Sequence, residues 1–234
     1  MNRRFRDVPN QETIDLWVRE RLSLISSSPA KTLLDVGAGQ KRYRDLIENL
    51  GFLYTSHDFN SYKPNTNSFG FQEKSWPAQS HDYICDILDI TEDRLFQIIL
   101  CTEVLEHVPD PVSALHKLKN LTLPGGHIIV TVPFMSLAHQ SPFWFSSGLS
   151  HFWFEYWSAK LNLEILDLTI SGDFVDHYKQ IRQIVEDNVE ITKRSFFPKR
   201  KKNIDSSKLR HALPHNVLSA GGFGVFAHLQ RAIN

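Results

Sequence analysis

The segment Leu34-Asp35-Val36-Gly37-Ala38-Gly39-Gln40 runs an apolar stretch into a Gly-x-Gly turn. Glycine has no side chain to clash and tolerates positive φ, so the backbone of such a turn can approach a bound molecule closely. Asp58 ends a second apolar run, about 20 residues beyond Gly37, where a carboxylate can accept two hydrogen bonds from a ribose diol. Asp86 ends a third run and is followed by Ile87. That pair can take an adenine amino proton and pack on the ring. Thr102 and Glu103 follow a fourth run and lead into the apolar, acidic and histidine segment Val104-Leu-Glu-His-Val108. Singly, each has an ordinary structural explanation: a glycine turn, or an Asp capping a loop or helix.

The elements that must position these residues are legible from periodicity. Ile14, Trp17, Val18, Leu22 and Ile25 recur at three- and four-residue steps, which predicts a helix over 10–26. Short apolar runs at 31–36, 52–58, 82–85, 95–101 and 127–132 suit buried parallel strands. Helices are predicted over 43–49 and 111–120, the second with Pro111 in its first turn. Residues 60–80, rich in Asn, Ser, Lys and Pro, read as a long polar connection, and Pro124-Gly-Gly126 reads as a turn. Beyond Phe134 come an aromatic-dense stretch to residue 160, a strand over 161–170, a helix over 173–189 and a final strand over 222–229. Strands alternating with helices give an α/β fold with a parallel sheet. Ligands in such sheets sit outside the carboxyl ends of the strands, at the point where strand order reverses. Four polar sites at four successive strand ends therefore converge on one crevice.

The bulk composition narrows the setting. The chain has 234 residues, enough for one sizeable domain, with 41% hydrophobic and 22% charged residues. Lys plus Arg and Asp plus Glu balance at 26 each, so no global charge favours nucleic acid or an anionic membrane. Two cysteines, Cys85 and Cys101, do not make a disulfide framework and fit a reducing compartment. The basic start Met1 to Pro9 lacks a following apolar stretch, and no run approaches a membrane span. The expectation is a cytoplasmic protein without stable membrane insertion.

Taken together, Leu33-Leu-Asp-Val-Gly-Ala-Gly39, Asp58, Cys85-Asp-Ile87, Ile99-Leu-Cys-Thr-Glu-Val-Leu-Glu-His-Val108 and Gly125-Gly-His-Ile-Ile-Val-Thr-Val-Pro133 resemble the class I S-adenosylmethionine-dependent methyltransferases of small-molecule type. They stand in that family's order. The resemblance implies a Rossmann-like, seven-stranded, mostly parallel sheet with its last strand antiparallel, helices on both faces and an aromatic-rich cap. It divides a single domain into an N-terminal helix (1–30), a cofactor-binding half (31–133), an acceptor-side region (134–221) and a final strand and tail (222–234). It implies S-adenosylmethionine as cofactor, with Asp35, Gly37 and Gly39 at its methionine end. Asp58 would hold the ribose, Asp86 and Ile87 the adenine, and Thr102 and Glu103 would flank the sulfonium. Lys41 stands where the family often has a third glycine, which bears on the geometry of the loop.

The acceptor is expected to be a small molecule or saccharide, methylated at a hydroxyl oxygen. A base should then take the hydroxyl proton. His107, His139 and His151 are the candidates, because histidine titrates near neutral pH. Trp144, Phe145 and Trp153 are the candidate acceptor contacts. The run from Ser136 to Trp157 also resembles methyltransferase-like proteins of bacterial surface-polysaccharide gene clusters. The basic run at 193–202 reads as a solvated loop. No Cys/His cluster has zinc-site spacing, so no metal is expected, and motifs for amino or base-carbon methylation of nucleic acid are missing. Two other readings stay open: a methyltransferase fold serving as a binding or regulatory module, and a nicotinamide-dependent oxidoreductase. Against the latter, Arg42 occupies the third position of a Gly-x-Gly-x-x-Gly fingerprint.

Overall fold

A computed structural model describes residues 10–25, 31–65, 67–188, 211–213 and 223–233. The chain builds one seven-stranded sheet from β1 (Thr32–Val36), β2 (Leu53–Asp58), β3 (Tyr83–Ile84), β4 (Phe96–Thr102), β5 (Thr122–Pro133), β6 (Leu163–Ser171) and β7 (Gly224–Arg231). Their spatial order is β3-β2-β1-β4-β5-β7-β6. β1 pairs in parallel with both β2 and β4, and β7 lies antiparallel between β5 and β6. The first crossovers run outward from β1 to β2 and β3, and the next returns to its other side. That reversal opens a crevice at the carboxyl ends of β1 and β4.

Alternation along the strands separates two cores. Leu33, Ile98, Leu100, Ile129 and Phe226 face α1 (Asn10–Ile25) and α2 (Arg44–Asn49), packing with Trp17, Val18, Leu22 and Ile47. Leu34, Val36, Ile99, Ile128, Val130 and Ala227 point the other way, onto α3 (Pro111–Leu121) and α4 (His151–Lys160). The five apolar residues whose spacing predicted α1 are all buried. α1 is also fixed by polar contacts: Trp17 Nε1 donates to Asp167 on β6 at 3.0 Å, and Arg21 lies 3.4 Å from the same carboxylate. At α3, Asp110 accepts from Val112 N and Ser113 N, with Pro111 in the first turn where a missing N–H costs nothing.

Two elements differ from expectation. The predicted turn at 124–126 lies inside β5, which starts at Thr122. The register against β4 shifts between Phe96 and Ile98, and a Cβ on Gly126 would sit 2.7 Å from the Gln97 carbonyl oxygen. Glycine there lets the two strands close up across a bulge instead of turning. The aromatic stretch, for its part, contains a helix, α4. Ser150 caps it by accepting from Trp153 N, and Phe154 is fully buried beneath it. The final strand starts at Gly224, α5 spans Phe174–Asn188, and the basic run at 193–202 lies outside the described residues. Among the described residues, no helix is long and apolar enough to cross a membrane.

Trp17 is 1% exposed, stacks at 5.3 Å on Phe226 and spends its N–H on Asp167. Trp17→Ala should therefore cost about 3–5 kcal/mol of folding stability. Denaturant unfolding checks this, and a loss below about 1 kcal/mol would show that α1 does not clamp the sheet.

Candidate active site

The turn after β1 is shaped by close approach. Gly37 and Gly39 have φ of +69° and +50°. A Cβ on Gly37 would fall 2.3 Å from Val104, and one on Gly39 would fall 3.0 Å from the Trp76 ring. Lys41, in the place of the family's third glycine, itself holds φ +56°. Its N–H donates to the Ala38 carbonyl at 2.7 Å, and its own carbonyl accepts from Arg44 N at 3.1 Å. The loop thus keeps a left-handed, glycine-like turn with a lysine in it, a conformation that costs an L-residue about 1–2 kcal/mol.

Three aspartates face the crevice. Asp35 is 1% exposed and accepts from the Tyr54 hydroxyl at 3.0 Å. Burial pushes its carboxyl up to about 7, and the neighbouring charge of Asp58 adds to the rise. Asp58 accepts from Gly39 N at 2.9 Å and Asn60 N at 2.6 Å, so it braces the glycine loop. Asp86 accepts from Leu88 N at 2.9 Å and caps a 3-10 turn over Ile87–Asp89, burying Ile87. Each of the latter two therefore has a capping role besides its place in the crevice wall.

The end of β4 concentrates buried charge. Glu103 takes φ +54°, held by its N–H to the Thr131 carbonyl at 2.9 Å. Strain of this kind at a non-glycine residue persists only where surrounding structure imposes it. Glu106 is 1% exposed. Neither of its oxygens has a hydrogen-bond partner, and nor does Oε1 of Glu103. Burial raises both carboxyls, and the charge of Glu103 raises Glu106 further. His107 faces the Phe143 carbonyl with Nδ1, and burial pulls it down to about 4, so the ring is neutral near pH 7. His139 faces the Leu137 carbonyl with Nδ1 at 2.9 Å. A carbonyl can only accept, so each ring donates from Nδ1 and turns Nε2 away from that bond. The two rings meet edge to face at 4.8 Å.

These groups border two cavities that meet at Glu103. The larger, about 590 Å³, is lined by all eight residues expected to hold the cofactor: Asp35, Gly37, Gly39, Asp58, Asp86, Ile87, Thr102 and Glu103. His107 and Phe145 line it too. The smaller, about 240 Å³, carries Glu103, Ser136, His139, His177 and Gln180 among apolar side chains. The other expected residues lie elsewhere. His151 begins α4 with its ring on Phe152 and borders neither cavity. Trp153 packs on the core beneath, and Trp144 borders neither cavity, donating to Ser136 Oγ at 3.3 Å.

Sequence reasoning missed the contribution of residues 60–80. That connection supplies Tyr62, Glu73 and Trp76 to the larger cavity. It is fastened to the segment after β5 by Phe71 N to Ala138 O, Gln140 N to Phe71 O and Gln72 to Ser141. Its aromatics, Tyr62, Phe69, Phe71 and Trp76, were the available signal, since a solvated linker has no use for them.

A family model described as a methyltransferase domain matches residues 10–199. A ubiquinone biosynthesis O-methyltransferase of Alkalilimnicola ehrlichii is 29% identical over 99 residues, covering 42% of this chain and 40% of that protein. The chain thus spans about half or less of the length of the curated relatives it matches. Among solved structures, magnesium protoporphyrin IX methyltransferase of Synechocystis PCC 6803, with bound SAM, superposes at TM-score 0.52 and 12% identity, covering 95% of this chain and 79% of that one. The cyclase SpnF superposes at 0.55 and 14% identity, covering 98% and 85%. At such identities the likeness is one of fold.

Between pH 3.8 and about 7, Asp35 keeps a proton in the folded chain that the unfolded chain has released. Its contribution to stability is therefore lost as pH rises through that window and is level above it. Asp35→Asn keeps an acceptor for Tyr54 and should flatten the slope, so the variant gains on the wild type between pH 4 and pH 8. Thermal melts of the ligand-free chain across that range check this. An identical slope would show that Asp35 is not the buried titrating group.

Proposed function

Because the chain belongs to the methyltransferase domain family, among the class I S-adenosylmethionine-dependent enzymes, we propose that it transfers the methyl group of S-adenosylmethionine to an oxygen of a small-molecule acceptor. The observation that carries this reading is the larger cavity, where eight residues from four strand ends line one crevice of about 590 Å³. The crevice fits the cofactor on its own chemistry. Gly37 and Gly39 leave out the Cβ atoms that would collide with Val104 and Trp76, two residues of the cavity wall. Asp35, buried and charged only at a cost, suits the cationic amino group at the methionine end. Asp58 retains acceptor capacity for ribose hydroxyls, while buried Ile87 beside Asp86 suits the adenine face and edge.

When bound, S-adenosylmethionine supplies a methyl carbon on a sulfonium, whose C–S bond breaks as the acceptor oxygen bonds that carbon, leaving a neutral thioether. The chain's own part is to align and to manage a proton. The larger cavity orients the donor and the smaller one, beyond Glu103, seats part of the acceptor; alignment of this kind supplies several kcal/mol of the barrier. The acceptor's hydroxyl proton is handled at the group Glu103, Glu106, His107 and His139, where burial keeps the His107 imidazole neutral. Of the histidines named from sequence, His139 borders the acceptor cavity and His107 the donor cavity. The Alkalilimnicola relative supports oxygen as the methylated atom, by its printed name. A saccharide acceptor is the narrower version of the reading, supported only by the Ser136–Trp157 resemblance.

Calorimetric titration with S-adenosylmethionine and S-adenosylhomocysteine should show one site per chain. No heat with a folded sample would overturn the reading in favour of a module that binds no donor. Asp58→Ala should weaken binding by about 1–3 kcal/mol, because ribose hydroxyls would be buried without a partner. An unchanged dissociation constant would remove Asp58 from the site.

A further inference from the structure

Among the described residues, α5 borders the smaller cavity alone. His177, Gln180 and Ile181 stand there at i, i+3 and i+4, so one helix face supplies two polar side chains and an apolar one. We propose that His177 and Gln180 select the acceptor, by hydrogen bonding a hydroxyl that stands on an uncharged, ring-sized body and is not the one methylated. The inference deepens the methyl-transfer reading and rests on it for calling the occupant an acceptor, though not for the selectivity itself.

Three observations carry it. First, the wall is built into the fold. Asp173 accepts from Val175 N at 2.9 Å and Asp176 N at 3.1 Å, and Asp176 accepts from Asp173 N at 3.1 Å. This reciprocal cap pins the first turn of α5, with Val175 fully buried beneath it. Gly172, at φ +71°, lets the turn before α5 close on Phe223, because a Cβ on it would fall 2.7 Å from that ring. Phe223 N donates to Ser171 O at 2.7 Å and so holds the ring in the cavity wall. Second, His177 is buried and unsatisfied. It is 4% exposed, and among the described residues its Nδ1 has no hydrogen-bond partner. Burial pulls its pKa down, so the ring is neutral near pH 7 and has one donor and one acceptor nitrogen. A buried nitrogen left unpaired is costly, and a ligand hydroxyl would recover that cost. A hydroxyl suits either tautomer, since it both donates and accepts, and the Gln180 amide has the same two capacities.

Third, the rest of the cavity disfavours charge. Phe71, Met135, Leu137, Ile181 and Phe223 make it apolar, and among the described residues no Lys or Arg lines it. Glu103 supplies a carboxyl instead. A phosphate or carboxylate brought there would lose its water and gain no counter-charge. The volume of about 240 Å³ admits one small ring with a substituent, since an apolar cavity of about 150 Å³ already takes a benzene ring. Glu103, where the cavity meets the larger one, stands by the reacting oxygen, and α5 reads the distal group.

The test uses three phenols that differ only at the distal group: 4-hydroxybenzyl alcohol, 4-methylphenol and 4-hydroxybenzoate. The full chain is titrated with S-adenosylhomocysteine by calorimetry, and each probe is then titrated into that sample and followed by ligand-observed NMR. The benzyl alcohol should bind at least about fivefold more tightly than 4-methylphenol, the worth of roughly one buried hydrogen bond, and the benzoate should not bind. His177→Phe keeps the bulk and removes both nitrogens, so it should erase the preference while 4-methylphenol binds as before. His177→Gln keeps a donor and an acceptor and should retain the preference. A merely structural histidine would instead shift all the probes together. Gln180→Ala, on the exposed side of α5, should lower the preference by itself and carries the test if His177→Phe fails to fold, which circular dichroism reports. The proposal is overturned by equal affinity for the alcohol and methyl probes, by tighter binding of the benzoate, by no binding of any probe at millimolar concentration, or by a preference unchanged in the folded variants. If S-adenosylhomocysteine binds and the preference is absent, only this selectivity falls. If S-adenosylhomocysteine gives no heat while the preference is present, the methyl-transfer reading falls and the selectivity stands.

Discussion

The parallel pairing of β1 with β2 on one side and β4 on the other is the constraint on which the remaining structure depends. Register places Val36 beside His57 and Cys101, so all three strands end at one level. Their crossovers depart in opposite directions from that level, and no helix can cover the gap between them. The loops that follow the strands therefore bring Gly37, Asp58 and Glu103 to a common rim. Everything polar in the crevice is placed by where a strand stops.

Burial at that rim gives the site its chemistry. The sheet's interior is apolar on both faces, so carboxyls at the strand ends are desolvated. Asp35, Glu103 and Glu106 all shift toward the protonated form for this reason. Such groups destabilise a ligand-free chain and gain most from a cationic partner, which is the ordinary signature of a site that trades stability for binding. The left-handed backbone at Lys41 and Glu103 is strain of the same origin, held by hydrogen bonds from neighbouring loops.

The fold by itself does not decide the activity. A cyclase and a methyltransferase both superpose on this chain over most of its length. The chemistry lies in local features: glycines packed against Val104 and Trp76, three aspartates in the larger cavity, and a carboxylate–imidazole cluster between two cavities. The segments after β2 and β5 lock together over the rim through Phe71, Gln72 and Gln140, which joins the walls of the two cavities.

By itself the sequence determined the sheet, its alternation with helices, and the residues that line the larger cavity. Those features rest on near neighbours: apolar period along a strand, a glycine turn at its end, a carboxylate one residue beyond. It also marked α1 through five apolar positions that all proved buried. Only the tertiary structure decided which residues surround the smaller cavity. His139 joins Glu106 and His107 although 32 residues separate His139 from His107, because Phe143 N to Gln140 O and Phe145 N to Glu106 O fold the aromatic segment back on β4. Trp153, equally attractive as a residue type, is carried by α4 onto the core, and His151 begins that helix with its ring on exposed Phe152. Spacing along the chain cannot register a contact made by a returning loop, and composition cannot tell a buried aromatic from one that lines a cavity. Packing settles both, since the side chain goes where its apolar surface is covered.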